Sequence, residues 1–203
     1  MNIIVPEKLK KDDEVRVIAP SQSMRILGKD CIEIAKKRLE DMGLKVTFGK
    51  NVINSMSDNY NCASIEDRIE DLHEAFRDTN VKAIMTAIGG FNSNQLLDYI
   101  DYELIKENPK ILCGFSDITA LLEAIHAKTG LEVYYGPHFS SLGMKKGCEY
   151  TIKHFANLLM NEEKDIIDSS EKWSDDLWFI DQENRTFIEN KGMKIVNKGE
   201  AEG

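Results

Sequence analysis

Residues 110–119 read Lys110-Ile111-Leu112-Cys113-Gly114-Phe115-Ser116-Asp117-Ile118-Thr119. Lys110 to Cys113 has strand character, Gly114 to Asp117 forms a turn, and helical spacing starts at once and runs to Thr129, where Gly130 ends it. A short apolar run that passes directly into a helix is one step of a βαβ unit. A serine on such a turn projects its Oγ above the sheet, beside the positive end of the following helix. Two readings follow. Ser116 is a nucleophile on an elbow, or it is only a helix N-cap of the common Ser-Asp kind in a non-catalytic ligand-binding domain. The position two after Ser116 is Ile118, so the G-x-S-x-G pattern of α/β-hydrolases is not met.

The same alternation extends outward in both directions. Strands are expected at 14–19, 44–48, 81–88 and 131–135. Helices are expected at 27–42, at 64–78, at 93–107 as two short pieces, and at 149–160. Ser64 with Asp67 approximates a capping box. Ile65, Ile69, Leu72 and Phe76 then make one apolar stripe. Residues 51–63 read as a polar loop. Five strand–helix alternations with short connections give a doubly wound, mostly parallel α/β sheet with helices on both faces. Ligands bind such sheets at the carboxyl ends of the strands. Those ends are Pro20-Ser21, Gly89-Gly90, Gly114 to Asp117, and Gly136-Pro137-His138.

Gly89-Gly90 would let a backbone N–H approach a reacting carbonyl, as in an oxyanion hole, or would simply turn the chain. Of the four histidines, only His138 lies at the ligand end of the expected sheet. It is a candidate base or substrate contact, or else an ordinary loop residue. Trp173 and Trp178, in the polar W-S-D-D-L-W stretch, would stack on a planar ligand group or seal a domain junction. Beyond about residue 165 the chain turns polar and charged. Residues 1–165 are therefore read as one domain, and residues 166–203 as a linker and the first part of another, with a strand at 193–196.

Composition removes several classes. The chain has 203 residues, with 26 Lys+Arg against 35 Asp+Glu, a net charge of −9. That balance opposes duplex nucleic-acid binding, which needs a basic surface. No apolar run approaches the roughly 20 residues that span a bilayer, so no membrane partner is expected. Cys31, Cys62, Cys113 and Cys148 have no metal-ligand or disulfide-framework spacing, and read as reduced thiols of a cytoplasmic protein. No phosphate-binding glycine motif occurs, and no cofactor or metal is expected.

Several segments together resemble the LD-carboxypeptidase family of serine peptidases, within it the microcin C immunity branch. They are L-K-K-D-D-E-V-R-V-I-A-P-S (9–21), the helix at 64–78, V-K-A-I-M-T-A-I-G-G-F-N-S (81–93), L-L-D-Y-I-D-Y (96–102), N-P-K-I-L-C-G-F-S-D-I-T (108–119), W-S-D-D-L-W and the G-E-A-E-G end. The resemblance implies a flavodoxin-like or class I glutamine amidotransferase-like sheet. It implies a Ser-Glu-His triad with Ser116 as nucleophile, and oxyanion donors at the Gly90 and Asp117 amides. Gly89, His138, Trp173 and Trp178 are the candidate substrate contacts. The family's Glu and His lie in a second, C-terminal domain, so this chain alone is expected to be inactive. The implied substrates are peptidyl- or aminoacyl-nucleotides, or murein tetrapeptides. A homodimer is implied as well.

Overall fold

The computed structural model describes residues 2–56, 61–161 and 166–200. Residues 57–60 of the expected polar loop, residues 162–165 beside the expected domain boundary, and Ala201 to Gly203 lie outside them.

Five parallel strands form the central sheet: β1 (Glu14–Ile18), β2 (Lys45–Phe48), β3 (Val81–Thr86), β4 (Ile111–Gly114) and β5 (Tyr134–Tyr135), in the order β2-β1-β3-β4-β5. Helices α1 (Lys29–Asp41) and α5 (Glu149–Met160) cover one face, and α2 (Ile65–Arg77), α3 (Tyr102–Glu107) and α4 (Thr119–Thr129) the other. Period-two alternation of side chains sorts the core accordingly. Val15, Val17, Met85, Ile111 and Cys113 pack with Ala35, Leu39 and Phe155, while Ile84 and Leu112 pack with Leu72, Phe76 and Ile125. With both faces buried, the strands are near-continuous apolar runs, as parallel sheets require.

The helix ends follow the local chemistry. Ser64 accepts the Asp67 amide at 3.1 Å as the N-cap of α2. Gly130 closes α4 in the left-handed region at φ 80°. Residues 93–107 are two pieces, a 3-10 turn at Ser93–Leu96 and then α3. At the amino ends of the strands, Arg16 binds Glu14, Glu74 and Asp78 at 2.6, 2.5 and 2.9 Å and ties β1 to α2.

Two expectations are corrected. The strand expected at 131–135 pairs with β4 only through Tyr134–Tyr135, because Ile4 engages the backbone before it. Ile4 N donates to Gly130 O, and Glu132 N donates to Ile4 O, both at 2.8 Å. The strand expected at 193–196 does not form. Met193, Ile195 and Val196 are exposed and find no partner strand among the described residues. The regular structure beyond residue 166 is instead a two-stranded antiparallel ribbon, β6 (Lys172–Trp173) with β7 (Ile188–Glu189).

In a 2-1-3-4-5 sheet the strand order reverses between β1 and β3, and the crevice opens there. The loops after β1, β3 and β4 meet over that point.

Candidate active site

Ser116 is exposed, and its φ of 59° lies in the left-handed region. For a residue other than glycine this costs on the order of 1–3 kcal/mol and persists only where the surroundings impose it. It opens a 3-10 turn, Ser116–Ile118, that leads into α4. Its hydroxyl caps nothing: among the described residues no hydrogen bond engages Ser116 Oγ. The helix-cap reading of Ser116 does not fit this geometry. Its carbonyl instead accepts the Thr119 hydroxyl at 2.7 Å.

The turn is tight because its neighbours leave no room. A side chain on Gly114 would run into the Thr86 hydroxyl and lie 3.0 Å from Ile118 Cγ2. One on Gly89 would lie 3.2 Å from Ser116 Cβ, 3.3 Å from Ser116 Oγ and 3.2 Å from His138 Nε2. One on Gly90, at φ 158°, would collide with the Ser21 hydroxyl. The Gly-Gly pair therefore brings bare backbone against the serine, which no other residue pair could do.

Asp117 holds these loops together. Its Oδ2 accepts the Ser21 hydroxyl at 2.5 Å and the Asn92 and Ser93 amides at 2.9 Å each. Its carbonyl accepts the Ser93 hydroxyl at 2.6 Å. The loops after β1 and β3 are thus fastened to the residue that follows Ser116. Sequence reading selected Asp117 for its amide and missed this carboxylate.

His138 lies at the ligand end of the sheet, as expected, and is buried. After β5 the chain folds back across β4. Phe139 N donates to Thr86 O at 2.9 Å, and Ser140 N to Ala87 O at 3.0 Å. His138 Nδ1 contacts Thr86 Oγ1 at 2.7 Å, and the ring lies 4.2 Å from that of Phe115. The Thr86 hydroxyl also lies 3.3 Å from Cys113 O, so it bridges the imidazole and the β4 backbone. Burial pushes the imidazole pKa down to about 4. Nε2 is sealed from solvent and has no hydrogen-bond partner among the described residues, although it lies beside Gly89. The other histidines are remote from this turn: His73 accepts the Asp101 amide, His126 contacts Leu131 O, and His154 stacks on Tyr150.

The tryptophans lie on the segment that follows residue 166. Trp173 sits on β6, and Trp178 lines a surface cavity with Ile26, Gly28, Cys31 and Lys145 beside the start of α1. The segment carrying them is anchored to the loop before α5, where Lys145 N donates to Gln182 Oε1 at 2.8 Å and Arg185 Nη1 to Lys146 O at 2.6 Å.

Arg68 was not singled out from the sequence. It is only 2% exposed on α2, and it reaches the loops behind the Gly-Gly turn. The available signal was an arginine at i+3 from Ile65 and four before Leu72, inside an apolar stripe. The four cysteines are buried thiols, and burial raises Cys31 and Cys148 to about 11 and Cys113 to about 12.

The chain is 56% identical over 195 residues to a putative carboxypeptidase of Treponema pallidum, covering 96% of this chain and 57% of that protein. It is 34% identical over 134 residues to the murein tetrapeptide carboxypeptidase of Pseudomonas aeruginosa, covering 66% of this chain and 42% of that one. The crystal structure of an MccF-like protein from Bacillus anthracis superposes with a TM-score of 0.90 at 54% identity, over 93% of this chain and 57% of that one. The microcin C7 self-immunity protein MccF in complex with aspartyl sulfamoyl adenosine superposes at 0.84 and 30% identity, over 93% and 58%. The chain thus spans a little over half the length of the Treponema pallidum relative and of both of these solved structures. No described helix is long and apolar enough to cross a membrane. A family profile, the LD-carboxypeptidase N-terminal domain, matches residues 15–136, the span that runs from β1 through the serine turn to the end of β5, and the chain belongs to the LD-carboxypeptidase family.

Proposed function

We propose that this chain is the nucleophile-bearing part of a serine hydrolase that cleaves an amide or acyl bond of a peptidyl- or aminoacyl-nucleotide. The observation that carries the reading is Ser116 itself. It is exposed, held at positive φ on a strand-to-helix turn, with a hydroxyl that caps nothing and bare glycine backbone beside it.

The chemistry follows from that placement. Ser116 Oγ attacks the carbonyl carbon, and its proton passes to a base. The oxyanion forms against the Gly90 and Asp117 amides, whose individual loss typically costs roughly 100- to 1,000-fold in rate. The C–N bond breaks as the leaving amine takes the proton. Water then hydrolyses the acyl ester, returning a proton to Oγ and releasing the carboxylate. No described residue stands as base within hydrogen-bond reach of Ser116, and His138 Nε2 is sealed. We assign the base to a His and its orienting carboxylate to a Glu outside these 203 residues, in a C-terminal domain that follows the 1–165 nucleophile domain and whose first part, after a linker, lies within 166–203. The chain alone is then expected to turn over little or nothing.

The nucleotide substrate is supported by similarity to an MccF structure that holds aspartyl sulfamoyl adenosine. Trp173 and Trp178 are the proposed stacking residues for its base. The relative named murein tetrapeptide carboxypeptidase supports the competing substrate. Incubating the native protein with aspartyl sulfamoyl adenosine and with a murein tetrapeptide, and reading products by mass spectrometry, decides between them. Cleavage of the first, lost in Ser116→Ala, is expected. Cleavage of the tetrapeptide alone would move the assignment to the cell wall, and cleavage of neither would remove the enzyme reading. We further propose a homodimer in a reducing cytoplasm, which suits four buried thiols.

A further inference from the structure

Two opposite charges grip the same two loops from opposite sides. Arg68 Nη1 donates to Pro20 O and to Asn92 O, both at 3.2 Å, Nη2 donates to Gln95 Oε1 at 2.8 Å, and Nε donates to Ser64 O at 3.3 Å. Asp117 Oδ2 takes the Ser21 hydroxyl and the Asn92 and Ser93 amides. Asn92 is therefore held at its carbonyl by the guanidinium and at its amide by the carboxylate. The adjacent residues Pro20 and Ser21 are held in the same way, one by each charge. Between these anchors stand Gly89 and Gly90, with Gln22 N donating to Gly89 O at 3.2 Å.

A buried arginine is a poor choice for stability alone. Desolvating it is costly, and an apolar side chain of similar volume commonly serves a core as well or better. Its planar fork of donors does what an apolar residue cannot, which is to fix two backbone carbonyls in one plane. Charge-assisted hydrogen bonds of this kind are roughly twice as strong as neutral ones.

We propose that Arg68 is a positioning residue for hydrolysis at Ser116: acting through Pro20 and Asn92, it sets the Gly89-Gly90 loop against the serine turn. This rests on the reading of Ser116 as nucleophile. Arg68 grips the loop by its backbone carbonyls, and its effect reaches the reacting atoms through that loop.

The test uses the native protein and a fluorophosphonate probe that reacts with activated serines, alongside kcat and KM on the cleaved substrate. All rates are normalised to the folded fraction. Arg68→Gln is expected to lower Ser116 labelling and kcat by about 100-fold, the scale of an ångström's misplacement at a reacting centre. KM should stay within about threefold, since uniform binding is untouched. Arg68→Lys should recover part of the loss. If Arg68→Gln fails to fold, Gln95→Ala, an exposed position, removes one partner of the fork and should lower labelling by about tenfold. Folded variants that label and turn over like the unmodified protein would overturn the proposal and leave Ser116 standing. Absence of Ser116 labelling and of turnover in the unmodified protein would instead remove the nucleophile reading, and the positioning role with it.

Discussion

Gly89 and Ser116 occupy one space. The Cβ that Gly89 lacks would stand 3.2 Å from Ser116 Cβ and 3.3 Å from Ser116 Oγ, with His138 Nε2 a further wall at 3.2 Å. The loop after β3 and the turn after β4 thus leave no room for a side chain between them at the proposed reacting atom. Gly89→Ala must therefore displace the serine or the imidazole by a few tenths of an ångström. The expected result is a stability loss of about 1–3 kcal/mol by denaturant unfolding. Fluorophosphonate labelling of Ser116 in the native protein should fall by about 100-fold. Unchanged labelling would mean that the two loops are not coupled at the serine.

Gly114 is a constraint on folding. A side chain there meets the Thr86 hydroxyl and Ile118, both buried in the sheet and the following turn. Gly114→Ala should cost about 1–3 kcal/mol through overpacking, read as a lower urea midpoint at unchanged m-value. A midpoint equal to that of the unmodified chain would show that β4 can shift freely, against the packing described.

The strain at Ser116 has its own thermodynamic signature. An N-cap serine replaced by alanine costs about 0.5–2 kcal/mol. Since the Ser116 hydroxyl caps nothing, Ser116→Ala should change stability by less than about 0.5 kcal/mol. Ser116→Gly, which relaxes the φ of 59°, should stabilise by roughly 1 kcal/mol. A clear loss in both variants would restore the cap.

His138 makes stability depend on pH. Its folded pKa is lowered to about 4 by burial, against about 6.5 when unfolded. Between those values the unfolded chain binds more protons than the folded one, so stability rises with pH across that window and is lost as the pH falls through it. Relative to His138→Gln, the unmodified chain should lose about 2 kcal/mol between pH 7 and pH 5. Asp71 works in the opposite sense, with burial raising its carboxyl to about 6, so the comparison between variants isolates the histidine. A difference that does not change with pH would mean that the imidazole is solvated.

Period and punctuation in the sequence determined most of the fold. Strand runs ending at Gly or Pro, helical stripes opened by Ser64 and closed by Gly130, and their strict alternation left a parallel doubly wound sheet as the consistent solution. They also placed Ser116, Gly89-Gly90 and His138 at its ligand-binding end. These signals are local, since each reports how a few neighbouring residues satisfy their own backbone and bury one face. The strand expected at 193–196 shows the limit of that reading, because a strand needs a partner and no local pattern says whether one will be there.

Tertiary structure alone decided the rest. That the Ser116 hydroxyl is uncapped, that Asp117 contributes a carboxylate as well as an amide, that His138 is neutral and sealed, and that Arg68 lies beneath the loops all depend on contacts between distant segments. An arginine in an apolar stripe, or an aspartate after a serine, has the same local pattern whether it faces water or another loop. Only the folded chain, by bringing Arg68 and Asp117 within hydrogen-bonding distance of Pro20, Ser21 and Asn92, determines which groups must satisfy one another away from water.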